Sequence, residues 1–510
     1  MAAGANAFQT KNSFLAIVRE TTVGVPVKPT AGTDYIALQD GFNLEPVFET
    51  LENAELTGSL GPAKPIQGLE NPTSAISHYI RHSGVEGQEP NFGLLIESAF
   101  GDKVIASTEF DTVAGSTAGT ATAPATINVD TGEGVNFERG QALLIKDGAN
   151  VFAMRNVKSV AGDILTLNFN LDNAPGVGVN LGKAVLYKPG QSHPCMSLWS
   201  FRANDFAIEL IAGALVTELG IEIGAGELIN GSFDMEGVEF FFNPIVIDAT
   251  NDSMDFNDGG GEENVTVTQK TYKDPHELAD TLATAMNAAT GDTITVVYSD
   301  KTGKFTIASD GGTLSLLWAT GTATATTIGD EIGFDTSADD TGSTSYIGDN
   351  AISFKSFQTP VFDNSDPLAA KNNEVFMGDF ADNVCFQAST MTYTLSNEKT
   401  DKNEVCAVSG KSGSVITGRT ATIEMVAFLD KFDVDKWRRF RENETTELAY
   451  NFGVRSGGNW VAGKCGSIYF PSATITSFNL GDQDGLVVVN MTLTAFVDSS
   501  GNGENYLNFN

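Results

Sequence analysis

The sequence predicts a mainly β protein: two tandem β-sandwich domains, each with a flanking helix, carrying an inserted small β-barrel and an inserted α+β domain. Three observations lead there. Apolar and polar residues alternate with period two in long hairpins. One order of elements occurs twice along the chain. Two stretches interrupt that order with patterns of their own.

Val216 to Ile223 carries Leu219, Ile221 and Ile223 on one face and Glu218, Gly220 and Glu222 on the other. A turn around Gly224 to Gly226 follows, and Ile229 to Met235 alternates again, with Phe233 and Met235 opposed by Asp234 and Glu236. This reads as a hairpin with one apolar and one acidic face. Near the end, Ala473 to Leu480, a turn at Gly481 to Gly485, and Leu486 to Val497 read the same way. The two hairpins share a local pattern, Val216-Thr217-x-Leu219-x-Ile221 against Ile475-Thr476-x-Phe478-x-Leu480.

Upstream of the first hairpin, Thr73 to Tyr79 reads as a strand and Asn91 to Phe100 as a helix closed by Gly101. Upstream of the second, Thr420 to Leu429 reads as a strand and Val434 to Asn443 as a helix with Asp433 as N-cap. Gly/Pro/Ser-rich segments before each strand, Gly58 to Gly68 and Ser409 to Gly418, read as exposed loops. Two occurrences of one order imply a tandem duplication.

The first interruption opens on a Thr/Ala/Gly-rich piece and continues as short strands, Gln141 to Lys146, Val151 to Val160, Ile164 to Phe169 and Ala184 to Tyr187. The second opens on an Asp/Gly-rich linker. A strand (Asn264 to Lys270), a helix (Pro275 to Ala289) with Asp274 before it, and strands Thr293 to Ser299 and Lys304 to Ala308 come next. The resulting division is 1–110 with 189–247 as the first repeated domain, 111–188 and 248–350 as the insertions, and 351–510 as the second repeated domain.

Bulk chemistry excludes several classes. Against 65 acidic residues stand only 30 basic ones, a net charge of −35. Gripping a phosphate backbone needs clustered Lys and Arg, so a DNA-binding protein is not indicated. No apolar run is long enough to span a membrane as a helix, and the polar start from Ala2 to Thr10 does not read as a signal peptide. Cys195, Cys385, Cys406 and Cys465 lie far apart without zinc or redox spacing.

Catalytic motifs fail on inspection. Gly410-Lys411-Ser412 ends like a phosphate loop, but Val405 stands where that loop needs glycine. Asp252 to Glu263 misses the glycine position of a calcium loop and reads as a solvated linker. His78 and His82 are four apart, but on a strand running into a loop that spacing brings no two imidazoles to one metal. The expectation is a protein without enzymatic activity, cofactor or metal.

The repeated unit resembles the tail tube fold of long-tailed, non-contractile bacteriophages. Phe14 to Val18, the loop Glu55 to Glu70, the helix Phe92 to Glu97 and the hairpin Val216 to Phe240 carry the likeness in the first copy. Thr390 to Asn397, Ser409 to Gly418, Trp437 to Phe440 and Ala473 to Val497 carry it in the second. Tyr298 to Ile307, with Leu316-Leu317-Trp318 and Ile332-Gly333-Phe334, is similar to a decorative module of phage virion proteins. The first insertion is similar to small β-barrels that phages place in such subunits.

The resemblance implies a structural virion protein, assembled in the host bacterial cytoplasm, that polymerises as stacked rings into the tail tube through which the genome is ejected. Two fused tube domains would make a trimer with pseudo-six-fold symmetry. Its implied partners are other copies of itself, the tape-measure protein, the tail terminator and tail tip proteins, and DNA that passes without specific binding. Glu218, Glu222, Asp234 and Glu236 are the expected lumen-lining residues. Gly58, Leu60, Pro62 and Lys64, with Ser409, Lys411 and Ser414, are the expected inter-ring loop residues. The competing readings are another virion component, such as a capsid decoration or baseplate protein, a secretion-system tube, whose subunits are usually single and undecorated, and a carbohydrate-active β protein. Four scattered tryptophans speak against the carbohydrate reading.

Overall fold

The computed structural model describes residues 13–39, 42–55, 63–147, 150–202, 207–353, 357–382, 384–429, 434–497, 501 and 503–510. Gly58, Leu60, Pro62 and the expected cap Asp433 lie outside the described residues. The chain is mainly β, and its strand ladders are antiparallel.

Two halves of the chain lay down one pattern of pairing. The first uses β1 (Phe14–Arg19), β2 (Asn43–Glu45), β3 (Thr73–Tyr79), β4 (Met196–Arg202), β5 (Ala207–Gly224) and β6 (Asn230–Glu236). The second uses β7 (Glu374–Gly378), β8 (Ala388–Asn403), β9 (Lys411–Phe428), β10 (Thr446–Ser456), β11 (Asn459–Gln483) and β12 (Leu486–Ala495). In the first, β1 pairs with β4, and β4 with the start of β5. The end of β5 then pairs with β6, β6 with β3, and β3 with β2. In the second, β7, β10, the start of β11, its end, β12, β9 and β8 follow in the same order. A helix stands at the same place in each, α1 (Gly93–Phe100) between β3 and β4, and α3 (Val434–Glu442) between β9 and β10.

The shared Val-Thr and Ile-Thr pattern now has a physical meaning. Register slips by one residue after Val216 in β5 and after Ile475 in β11, leaving Thr217 and Thr476 as bulged residues. The Thr217 hydroxyl donates to the Asp234 carbonyl (3.1 Å) and the Thr476 hydroxyl to the Thr492 carbonyl (3.2 Å). Each bulge lies just past the point where the long strand changes partner, from β4 to β6 at Ala214 and Leu215 and from β10 to β12 at Ala473.

The halves are not separate globules. β5 pairs with β8 from Glu218 opposite Ser396 to Gly224 opposite Thr390, so a single sheet runs through both. Inward-facing Leu219 and Ile221 share one apolar core with Tyr393, Leu395, Ile423 and Leu493. The final strand, Tyr506–Phe509, lies between β11 and Ala184–Pro189, tying the C-terminus to the first half.

Local chemistry explains the helix and turn positions. Gly101 ends α1 in the left-handed region (φ 86°), and its N–H donates to the Glu97 carbonyl. A Cβ there would also sit 2.9 Å from the Gly190 carbonyl oxygen. In α2 (Pro275–Ala289), the Asp274 side chain accepts from the His276 N–H at 2.8 Å. Asp484 and Gly485, both at positive φ, form the two-residue turn between β11 and β12.

The two insertions behave differently. In the first, six strands follow in sheet order from Phe110–Asp111 to Thr126–Asn128, and a Thr112–Val129 bridge closes them into a barrel. Ala184–Pro189, expected in this barrel, instead pairs with Gly101–Ala106 and the C-terminal strand in the main sheet. The barrel is also welded to the second half. Leu144 and Met154 pack with Trp460 and Cys465, and Phe169 packs with Phe376, Tyr469 and Tyr506. The Asn508 and Asn510 amides donate to the Gly140 and Ala142 carbonyls. The second insertion keeps its own core around Phe256, Leu282, Phe305 and Trp318.

Two expected irregular segments are strands. Asp252 to Glu263 is a hairpin, not a linker: Met254 and Phe256 are buried in the strand Ser253–Asn257. Asp255 is buried there because it accepts from the Asn264 side chain at 2.5 Å and the Ala323 N–H at 2.7 Å. The Ser409 to Gly418 loop is largely strand too, since β9 begins at Lys411 and pairs with β8 up to Asn403. In the first half the corresponding arm pairs Phe48–Leu51 with Ile66–Glu70.

Candidate functional site

Eight strand segments, in the order β2, β3, β6, β5, β8, β9, β12 and β11, present one face to the core and the other to solvent. The apolar partners in each strand take the core side, which leaves the intervening residues outside. Many of those residues are short hydroxyls, amides and carboxylates. Asn43 and Glu45 stand on β2, Ser232 and Asp234 on β6, Glu218 and Glu222 on β5. Thr390, Thr392, Thr394 and Ser396 stand on β8, with Thr420, Thr422 and Glu424 on β9. No Lys or Arg stands outward in the central rows, 218–222 on β5, 390–396 on β8 and 420–424 on β9; Lys402, exposed further along β8 at the same parity, lies beyond them.

The register sets the carboxylates in rows. Glu222 stands opposite Thr392, which stands opposite Glu424. Glu218 stands between Asp234 and Ser396. Two like charges directly opposite on an antiparallel pair lower stability. The Glu218–Asp234 juxtaposition is thus not there for the strands' own sake. Such rows of carboxylates repel phosphates at short range.

Three of the four expected lumen residues, Glu218, Glu222 and Asp234, are exposed together on this face. Glu236, at the same parity on β6 and partly exposed, is ion-paired, its carboxylate 2.7 Å from Lys399 Nζ. Lys399 also pairs with Asp401 at 2.8 Å. Burial raises the Asp401 carboxyl, but hydrogen bonds from Lys399 and Ser414 outweigh it and hold the group below the usual range.

Lys411, expected on an exposed loop, is 1 % exposed. Its Nζ donates to Asn71 Oδ1 (2.7 Å) and the Gly237 carbonyl (2.9 Å), with Asp401 at 3.4 Å. Burial lowers its pKa. Its four-carbon stem carries the ammonium from the second half to these two acceptors in the first half. Ser409 is buried as well, and Ser414 donates to Asp401 at 2.6 Å. Of the described loop candidates, Lys64 is exposed.

His78 points inward from β3, stacked on Phe233 and 4.3 Å from the Phe92 ring centroid. Burial pushes its pKa down to about 4, so it is a neutral core group. Among the described residues, no group of three His, Cys, Asp or Glu side chains converges as metal ligands would.

Sequence reasoning missed Glu45, Glu424 and the β8 hydroxyls. Their signal was present: Thr390-x-Thr392-x-Thr394-x-Ser396 alternates with Met391, Tyr393 and Leu395. No family model and no curated protein matches the chain.

Proposed function

We propose that the chain is a tail tube subunit of a long-tailed, non-contractile bacteriophage, polymerising as stacked rings around a conduit for DNA. The observation that carries this reading is the eight-segment sheet shared by two equivalent halves, with one face in the core and the central rows of the other carrying hydroxyls and carboxylates but no Lys or Arg. A wall of hydroxyls and carboxylates lets a polyanion pass without holding it. At about 0.15 M salt the Debye length is ~8 Å, so repulsion acts only when a duplex nears the wall.

The side-by-side pairing of equivalent halves supports a ring in which each chain supplies two of six units, so three chains complete it. The implied partners are further copies of the chain, a tape-measure protein in the lumen, the terminator and tip proteins at the ends, and DNA in transit. Glu218, Glu222 and Asp234, joined by Glu424, line the lumen in this reading. The test is negative-stain microscopy of the concentrated protein. Hollow rings or tubes with three projections per ring are expected; dispersed monomers at all concentrations would contradict it.

A further inference from the structure

The chain contains an example of how its two kinds of strand edge meet. At the junction of the halves, β5 lies against β8 with Gly220 opposite Thr394 and Ile221 opposite Tyr393. The repeated pairing carries this register to two other strands. The matching bulges make Val216 equivalent to Ile475, so Gly220 corresponds to Asn479 and Ile221 to Leu480. On the other side, Leu44 reaches Met235 through Ser74, as Tyr393 reaches Leu493 through Ile423. Leu44 therefore corresponds to Tyr393, and Glu45 to Thr394.

Both of these strands have an open side. Among the described residues, residues 474–483 of β11 pair with β12 alone, and β2 pairs with β3 alone. The exposed side of β11 is apolar where the filled junction is buried: Leu480 is 64 % exposed, against 3 % for Ile221. Leu486 and Val487, across the hairpin, are exposed too. An uncovered strand edge with apolar side chains is a template for another strand.

We propose that the open edge of β11 takes β2 of a second copy of this chain, antiparallel, in the register of the internal junction. Asn479 then stands opposite Glu45 of the second copy, and Leu480 opposite its Leu44. The two edges differ, so the contact is heterologous: each chain uses its β11 on one neighbour and its β2 on the other. The hydroxyl and carboxylate face continues across the seam, because Asn479 and Glu45 are both outward residues. The inference rests on the ring reading for closure and on the internal repeat for register.

Cysteine pairs separate the two. In a C385S/C406S background, which removes the exposed native thiols, N479C is combined with E45C in one chain. These positions sit on opposite edges of the sheet, so a disulfide between them joins two chains. Oxidation is expected to convert most of the protein into covalent oligomers ending at the ring size. The pair N479C/N43C, two residues out of register and about 7 Å apart, is expected to cross-link at least tenfold less. Leu480→Asp is expected to give a folded chain with unchanged circular dichroism that no longer associates.

Rings that form without the N479C/E45C cross-link would overturn the register and leave the ring reading standing. Cross-linked open filaments would support the register and overturn closure. A chain that stays monomeric and uncross-linked at high concentration would overturn both.

Discussion

Leu395→Ala probes whether the two halves fold as one unit. Leu395 is fully buried, opposite Leu219 of the first half and Ala421 of the second. Truncation removes three carbons from the core, about 2.4 kcal/mol at ~0.8 kcal/mol per methylene. Strands hold the site from both sides, so it collapses little; a residual cavity of ~50 Å³ adds about 1.2 kcal/mol at ~24 cal/mol per Å³. The expected loss is about 3.5 kcal/mol. Urea unfolding is followed in two single-tryptophan variants, one keeping Trp199 in the first half and one keeping Trp437 in the second. Because Leu219 and Leu395 share one core, both probes are expected to shift by the same amount. If Trp199 keeps the parent midpoint while Trp437 moves, the halves are independent domains and do not stabilise each other through that core.

Other consequences are equally direct. Lys411→Ala leaves the Asn71 and Gly237 oxygens without their buried donor, and should cost about 2–4 kcal/mol in chemical denaturation. Replacing residues 245–352, which hold their own core, by a Gly/Ser linker should leave a folded, associating chain. Excising the barrel at 110–182 should not, because it uncovers Phe376 and Trp460; limited proteolysis distinguishes the two. His78 titrates near 6.5 when unfolded and about 4 when folded, so the unfolded state binds more protons between those values. Stability is full above pH 6.5 and falls by about 3 kcal/mol as pH drops through that window; His78→Phe should flatten that part of a pH–denaturation profile. Asp234→Asn relieves repulsion from Glu218, worth about 0.4 kcal/mol at ~5 Å in 0.15 M salt. Its gain should grow at low salt in the same assay.

Much of the architecture was legible because alternation survives wherever one face of a strand is buried. The two hairpins and α1, with its glycine stop, could be read from period alone. Reading failed where composition masked that period. Asp255 made a core strand look like a linker, although its carboxylate is satisfied by Asn264 and the Ala323 N–H. Glycines and serines from Ser409 to Gly418 concealed a paired strand, and no local rule signals that Lys411 crosses to the other half. The site was half legible. Period two put Glu218, Glu222 and Asp234 on one face, but only long-range register sets Thr392 between Glu222 and Glu424. The Glu236–Lys399 ion pair was illegible for the same reason, since the two residues lie far apart in sequence.

In the proposed function, the carboxylate-bearing face of the shared sheet lines a lumen. Cryo-electron microscopy of the assembled protein shows directly which way that face points. The expected density is a ring of three chains with pseudo-six-fold symmetry, with Glu218, Glu222, Asp234 and Glu424 facing the central channel. An assembly in which this face lies outside, or is covered by a neighbouring chain, would contradict the lumen assignment.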